Sequence, residues 1–162
     1  MPITFDPALL DFLESRVLDK WQGRVWREVL GDSPPLRPNQ RGARWNPPGV
    51  EALYCSLLAE TAAVEVDYLV SLQPVPISRR RRVELRVELT RVVDLRDPTP
   101  LTSFGFETKD FVGRAHGASR LIGGAVSWLG CSGLLVPSAR HSGANLVIYT
   151  NQMDPRDRTD LA

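Results

Sequence analysis

The pattern of apolar and polar positions predicts a helix near the N-terminus and strands through most of the remaining chain. Four apolar residues fall on one helical face: Leu9, Leu10, Leu13 and Val17. Asp6 and then Pro7 precede this face, and a capping carboxylate with proline in the first turn is typical of a helix start. The pattern predicts a helix over about 7–20.

Alternation with a period of two is clearest in "VELRVELTRVVDL", residues 83–95, where apolar and charged residues exchange places. This period predicts a half-buried strand with antiparallel neighbours. Shorter strands are predicted for "GRVWREV" at 23–29 and "VEALY" at 50–54. The segment "GLLVPSARHSGANLVIYT", residues 133–150, predicts two strands joined by a polar loop.

Two further helices are predicted, one over about 56–72 with Ser56 as its cap and one in "GASRLIGGAVSWLG" at 117–130. Gly123 and Gly124 lower the helical propensity of the second. The charged tail from Asn151 is expected to fray. Without an internal repeat or a linker, the elements predict a single α+β domain over residues 1–162.

A carboxylate lies within the apolar face of the second predicted helix. At 100° per residue, Glu65 falls near the middle of an arc formed by four apolar residues, Leu58, Ala62, Leu69 and Leu72. An ionised carboxylate removed from water without partners costs several kcal/mol. Glu65 is therefore a candidate acid, base or substrate-holding group facing a polar cleft. An internal ion pair, or a helix end less buried than the wheel implies, is the alternative.

The segment "RGARWNPPG", residues 41–49, predicts a rigid corner. Proline favours an extended conformation at the preceding Asn46, and Pro48-Gly49 suits the central positions of a type II turn. Such a corner can present the planar fork of Arg44 to phosphate oxygens. The alternative for Arg44 is a surface salt bridge beside a packing tryptophan, and Arg41 is expected to be solvated.

Three more residues are candidates because of their positions. Arg27, in the first predicted strand, would be costly to bury unpaired and is a candidate anion ligand. Tyr54, at the end of the strand after the corner, can stack on a planar ring or fill the core. Ser138 follows a proline at a strand end, where polar groups are exposed, although a simple turn explains it equally well.

Charge and cysteine content exclude several classes of protein. With 20 basic and 19 acidic residues, the chain has no overall field that attracts nucleic acid. The two cysteines and two histidines lack metal-ligand spacing, so no metal site is expected. Charged residues interrupt the apolar residues of 1–21, so this segment lacks the apolar core of a signal peptide. No later stretch is long and apolar enough for a membrane span, and a cytoplasmic protein is therefore expected. A Cys131–His141 nucleophilic pair and a nucleic-acid contact at residues 79–82 remain weaker alternatives.

In their order along the chain, these segments resemble the RES family, the toxins of Xre-RES toxin-antitoxin modules. The family's arginine after an aromatic matches "VWREV", and its Arg-Trp-Asn turn, tyrosine and helical glutamate match "RGARWNPPGVEALYCSLLAETAAVE". A helix followed by a strand ending in Pro-Ser matches "ASRLIGGAVSWLGCSGLLVPSAR". The motif-bearing core covers about 24–150. Departures include Ala43 in place of a glycine, and Asp67-Tyr68 where the family often has a histidine.

The resemblance implies a fold of mostly antiparallel twisted sheets with flanking helices, similar to ADP-ribosyltransferase toxins. It also implies NAD+ as substrate, no prosthetic group, and an Xre-type antitoxin that covers the NAD+ site. It assigns catalytic roles to Glu65, Arg44 and Ser138, and it assigns contacts with NAD+ to five residues: Arg27, Arg44, Trp45, Tyr54 and Ser138. In this assignment Glu65 offsets the positive charge that develops on the ribose as nicotinamide leaves.

The acceptor of ADP-ribose stays open at this stage. Transfer to phosphate or water would deplete NAD+, whereas transfer to a side chain would make the protein a mono-ADP-ribosyltransferase of a specific host protein. A more distant alternative is a non-enzymatic nucleic-acid-binding module that uses Arg79 to Arg82.

Overall fold

Two long strands that pair along their whole length form the frame of the fold. The computed structural model describes residues 4–74 and 79–162. The strands are β1 (Val17–Leu30), β2 (Leu53–Ser56), β3 (Arg80–Asp94), β4 (Gly133–Pro137), β5 (Ala144–Ile148) and β6 (Arg158–Leu161). The α-helices are α1 (Pro7–Ser15), α2 (Ala59–Ser71), α3 (Lys109–Val112) and α4 (Gly117–Trp128), and Thr99–Phe104 and Thr150–Gln152 form 3-10 helices.

The sheet closes on itself. Its order is β1-β2-β5-β4-β3-β6, and β1 also pairs with β3, from Val17 opposite Val93 to Leu30 opposite Arg80. Five strands therefore form a small barrel-like sheet, with β6 on the outer edge of β3. Every described pairing is antiparallel except β3 with β4. The predicted α+β fold with mostly antiparallel strands is confirmed.

Alternation along β3 places its apolar side chains inside the barrel. Leu85, Val87 and Leu89 are buried, while Arg86 and Glu88 between them are exposed. The interior of the barrel is one apolar cluster, contributed by residues of β1 to β5. A second cluster lies outside the barrel, where α1 and α4 pack on its wall. The half-buried strand that the period of two predicts is confirmed. Its neighbours are not all antiparallel, because β4 pairs with β3 in parallel.

Strand pairing corrects the first predicted helix. The helix ends at Ser15 and not near Lys20, because Val17 already pairs with Val93 of β3. The first strand is correspondingly longer than residues 23–29. A stripe of four apolar residues fits the start of a helix, but the backbone partners that end the helix lie far away in the chain.

The second predicted helix begins later than expected. Ser56 is the last residue of β2, where it pairs with Asn145, and it does not cap the helix. Leu58 occupies the cap position and has no capping side-chain bond. The serine was a plausible cap by residue type, but its hydroxyl is used across the sheet instead.

The C-terminal tail is ordered by an aspartate. Asp157 accepts hydrogen bonds from the amide nitrogen of Thr90 at 2.6 Å and from the Thr90 hydroxyl at 3.0 Å. This contact holds the segment beside β3, and residues 158–161 then pair with residues 85–88. The prediction that the tail frays is therefore wrong. None of the helices among the residues described has the length and apolar character needed to cross a membrane.

Candidate functional site

A cleft of about 530 Å³ opens between β1, β2, α2 and the loop that follows β1. Its walls bring together side chains that are far apart in sequence: Arg27, Arg44, Tyr54, Glu65, Tyr68 and Arg140. Four of the predicted site residues thus meet in one cavity. Glu65 and the nearby arginines give the cleft both a carboxylate and a surplus of positive charge.

Two donors hold the same oxygen of Glu65. The Ser138 hydroxyl donates to Oε1, and Asn145 Nδ2 donates to Oε1 at 3.0 Å. Ser56 Oγ in turn donates to Asn145 Oδ1 at 2.8 Å, which fixes the orientation of the amide. Neither bond uses Oε2, so one oxygen of Glu65 is left to accept a hydrogen bond from a ligand.

The backbone after β4 determines the direction in which the Ser138 hydroxyl donates. Ser138 is buried directly after Pro137, and its Oγ accepts from the amide nitrogens of Arg140 at 3.1 Å and His141 at 3.2 Å. Because these donors occupy the oxygen lone pairs, the hydroxyl proton points to Glu65. Ser138 is not among the residues that line the cleft, and its contact with the site is the hydrogen bond to Glu65.

The helical wheel located Glu65 but overstated the burial around it. Ala62 and Val66 are buried, whereas Leu58, Leu69 and Leu72 are 48%, 49% and 55% exposed. Glu65 therefore lies at the border between the core and the cleft. Its partners among the described residues are a hydroxyl and an amide, so the polar-cleft interpretation describes its surroundings better than an internal ion pair does.

Arg27 reaches the cleft from β1 and is only partly satisfied by the protein. Its Nη1 donates to the carbonyl oxygen of Tyr54, while its buried Nε has no hydrogen-bond partner within residues 4–74 and 79–162. Burial lowers the pKa of this guanidinium. An incompletely paired cation in a cleft favours an anionic ligand.

Cys55 lies beside Arg27, and burial raises the pKa of its thiol to about 12. The thiolate that alkylating reagents require is therefore scarce at pH 8. We expect iodoacetamide to leave Cys55 unmodified in the folded protein and to modify it in urea, as measured by mass spectrometry of the peptide. Rapid modification of the folded chain would contradict the buried environment.

The predicted corner exists and is held by two tyrosines. The amide of Val50 donates to the Pro47 carbonyl at 3.1 Å, and Gly49 has a φ of 91°, as the second central position of a type II turn requires. The Tyr54 hydroxyl accepts from the amide of Trp45 at 2.9 Å, and the Tyr149 hydroxyl donates to the Trp45 carbonyl at 2.9 Å.

Arg44 extends from this corner into the cleft. Its Nη1 donates to the carbonyl oxygen of Phe111 at 3.1 Å, and no carboxylate pairs with it among the residues that the structure describes. Burial is the main cause of its lowered pKa, and the nearby positive charge of Arg140 lowers it further. This environment fits an anion ligand better than the alternative of a surface salt bridge.

Trp45 belongs to the core, so its side chain does not reach the cleft in which the predicted contact with the substrate would be made. Its side chain is 3% exposed and does not line the cleft. The indole stacks on Phe111 with ring centroids 5.9 Å apart. Tyr54, by contrast, does line the cleft, although its hydroxyl is committed to the corner: besides accepting from Trp45, it donates to Asn46 Oδ1 at 2.6 Å.

Two residues that the sequence did not single out complete the site. Asn145 is the polar residue in the otherwise apolar strand β5, and this interruption is the one feature of the sequence that could have identified it as a site residue. Arg140 stacks on the ring of Tyr68 at 3.6 Å from the centroid. Both reach Glu65 or its surroundings through contacts between distant strands, which local periodicity does not reveal.

The weaker alternatives find no support in the geometry. His141 Nδ1 lies 2.9 Å from Thr61 Oγ1 and accepts from the amide of Gly143 at 3.2 Å, while the Cys131 thiol contacts Arg91, so the two do not form a catalytic pair. Arginines 80 to 82 belong to β3, and Glu28, Asp32 and Asp67 pair with the run 79–82. These carboxylates offset the positive charge with which the arginines would have to bind the phosphates of a nucleic acid.

Comparison with known proteins identifies the family and the fold of the chain. Residues 20–160 match the RES domain. The chain is 24% identical over 164 residues to the NAD(+) phosphorylase MbcT of Mycobacterium bovis and to that of Mycobacterium tuberculosis, covering 96% of this chain and 88% of each relative. It superposes on the M. tuberculosis MbcT-MbcA toxin-antitoxin complex with a TM-score of 0.77 at 24% identity, covering 97% of this chain and 90% of the other.

Proposed function

The chain belongs to the RES domain family, and on that premise we propose that it is a toxin that cleaves NAD+ at the bond between nicotinamide and ribose. The observation that carries the proposal is the state of Glu65. One of its oxygens is fixed by Ser138 and Asn145, and the other is left free in a cleft walled by arginines. Relatives named NAD(+) phosphorylase support the same reaction.

Each cleft residue has a role in this reaction. Arg27 and Arg44 bind the pyrophosphate, because both are cations with few protein partners in the cleft. Tyr54 offers its ring to the planar nicotinamide. As nicotinamide leaves, positive charge develops on the ribose, and the ionised Glu65 stabilises that charge while its Oε2 accepts a hydrogen bond from a ribose hydroxyl.

We further propose phosphate as the acceptor. A phosphate oxygen forms a bond to the ribose carbon, the bond from that carbon to the pyridinium nitrogen breaks, and its electron pair leaves with neutral nicotinamide. The products are ADP-ribose 1″-phosphate and nicotinamide, and no oxidant or metal takes part in this balance. The name of the mycobacterial relatives supports this acceptor over water or a protein.

An antitoxin partner and a cytoplasmic location belong to the same proposal. The solved relative is a toxin-antitoxin complex, and the cleft of this chain is open to a partner that could cover it. We propose that a small Xre-type antitoxin blocks NAD+ entry. Co-expression with the neighbouring reading frame, followed by purification of a complex without NAD+ turnover, tests this partner.

Product analysis tests the reaction itself. Purified chain is incubated with NAD+ in buffers with and without inorganic phosphate, and the products are separated by chromatography. We expect nicotinamide in both buffers, ADP-ribose 1″-phosphate only with phosphate, and faster release in its presence. Intact NAD+ would overturn the proposal, and a labelled protein band from lysate incubated with labelled NAD+ would instead favour a protein acceptor.

Asn145 provides a test of how Glu65 is held. In Asn145→Asp a second carboxylate replaces the amide that donates to Glu65, so a hydrogen bond is replaced by repulsion between like charges. We expect kcat/KM for nicotinamide release to fall about tenfold or more across the pH profile.

The exposed Asn151 supplies the matched control, because Asn151→Asp adds the same charge outside the cleft. Its pH profile should coincide with that of the unmodified protein. An unchanged profile in Asn145→Asp as well would show that Asn145 does not act on Glu65.

A further inference from the structure

Arg140 is a cation of the cleft that forms no ion pair with any described residue. It lines the cleft, and no carboxylate pairs with it in the part of the chain that the structure describes, residues 4–74 and 79–162. Its Nη2 is buried and has no hydrogen-bond partner. A buried donor without a partner costs free energy, so this position favours an anion that can accept from it.

The fold also holds Arg140 at a fixed place beside the reacting centre. Its backbone amide donates to Ser138 Oγ, the same oxygen whose hydroxyl donates to Glu65. Its guanidinium stacks on Tyr68, which follows Glu65 by three residues and therefore lies on the same side of α2. The carboxylate and the guanidinium are thus neighbours without forming an ion pair.

The surroundings of Arg140 carry further positive charge. After burial, repulsion from Arg140 is the next cause of the lowered pKa of Arg44. The pKa of His116 is lowered by burial first and then by the charges of Arg44, Arg120 and Arg140. His116 lines the same cleft. A small dianion is the type of ligand that relieves this repulsion, and a dinucleotide held by Arg27 and Arg44 leaves Arg140 unused.

We propose that Arg140, supported by Tyr68, binds inorganic phosphate as the acceptor of the ADP-ribosyl group. This inference rests on the proposed cleavage of NAD+ and names the residue that selects its second substrate. The guanidinium donates to the phosphate oxygens from the side of Glu65, so that one oxygen can form the bond to the ribose carbon as nicotinamide leaves. Arg140 then decides between phosphorolysis and hydrolysis.

The test compares two saturation curves. Arg140→Met keeps an unbranched side chain on Tyr68 and removes the charge, whereas Arg140→Lys keeps the charge and loses the planar fork. We expect Arg140→Met to raise the phosphate concentration for half-maximal nicotinamide release about tenfold or more, as the loss of a charge-assisted hydrogen bond implies. The KM for NAD+ should change less than about threefold, and ADP-ribose from hydrolysis should persist. For Arg140→Lys, the phosphate concentration for half-maximal nicotinamide release should lie between the values for the unmodified protein and for Arg140→Met.

The control is Arg86→Met on the exposed face of β3, which removes the same charge outside the cleft. An unchanged phosphate dependence in Arg140→Met, or an equal rise in the KM for NAD+, would overturn the assignment. Calorimetry with inorganic phosphate and no NAD+ separates the two proposals. If the unmodified protein does not cleave NAD+ but binds phosphate, and Arg140→Met does not bind phosphate, then the proposed cleavage of NAD+ is wrong and the phosphate site at Arg140 is supported. Equal phosphate binding by both proteins refutes the site.

Discussion

Replacing Glu65 with glutamine is expected to lower kcat for nicotinamide release by a factor of about 100 or more while the fold persists. Glutamine has the same shape, and its single carbonyl oxygen can accept from both Ser138 and Asn145, as Oε1 does now. The free acceptor Oε2 becomes an amide that donates. The cleft then lacks the negative charge that offsets the positive ribose, and it presents a donor where a ribose hydroxyl must donate.

This loss is measured by nicotinamide release at saturating NAD+, with circular dichroism and thermal unfolding to verify the fold. Glu60→Gln is the matched control, because Glu60 is exposed on the same helix. We expect the control to retain full activity. Turnover by Glu65→Gln at the rate of the unmodified protein would exclude Glu65 as the group that stabilises the reacting ribose.

The sequence predicted the parts of the site that depend on local order. Glu65 stood out because a charge interrupts a periodic apolar face, and the corner before it followed from the backbone limits of proline and glycine. Arg27 was recognised as a cation that would be costly to bury unpaired, and Arg44 as the arginine that the corner presents. The roles of these residues in cleaving NAD+ are still predictions, because they depend on substrate contacts.

Contacts between distant segments escaped sequence analysis. The contact between Trp45 and NAD+ was implied by the resemblance alone. In the structure, Arg44 and Trp45 form the turn between Ala43 and Asn46, and the side chain of Trp45 enters the core while that of Arg44 faces the cleft. Asn145 and Arg140 reach the Glu65 region only because β4 and β5 pair beside β2 and α2. That register is a tertiary property which no local period encodes.

Two adjacent glycines of α4 should respond in opposite ways to the same substitution. A Cβ on Gly123 would lie 1.7 Å from the carbonyl oxygen of Trp45, whereas a Cβ on Gly124 would meet Pro47 Cγ at 3.4 Å, an ordinary contact. Alanine is preferred over glycine in a helix interior by about 1 kcal/mol. Gly124→Ala is therefore expected to keep or slightly raise the free energy of unfolding.

Gly123→Ala is expected to lower the free energy of unfolding by about 3 kcal/mol or more, because the helix or the corner must move to admit the methyl group. The obstructing atom is a backbone carbonyl that also accepts from Tyr149, so no side-chain rotation relieves the clash. Denaturant unfolding of the two variants measures the difference, and equal midpoints would contradict the close approach.

The same pair links the packing of α4 to activity. Any Gly123→Ala protein that folds must separate α4 from the Trp45 carbonyl, and movement of either one disturbs the packing behind Arg44, the preceding residue. The KM for NAD+ should therefore rise in Gly123→Ala at a temperature where the variant is folded, while Gly124→Ala binds NAD+ normally. An unchanged KM in folded Gly123→Ala would mean that Arg44 does not depend on the helix behind the corner.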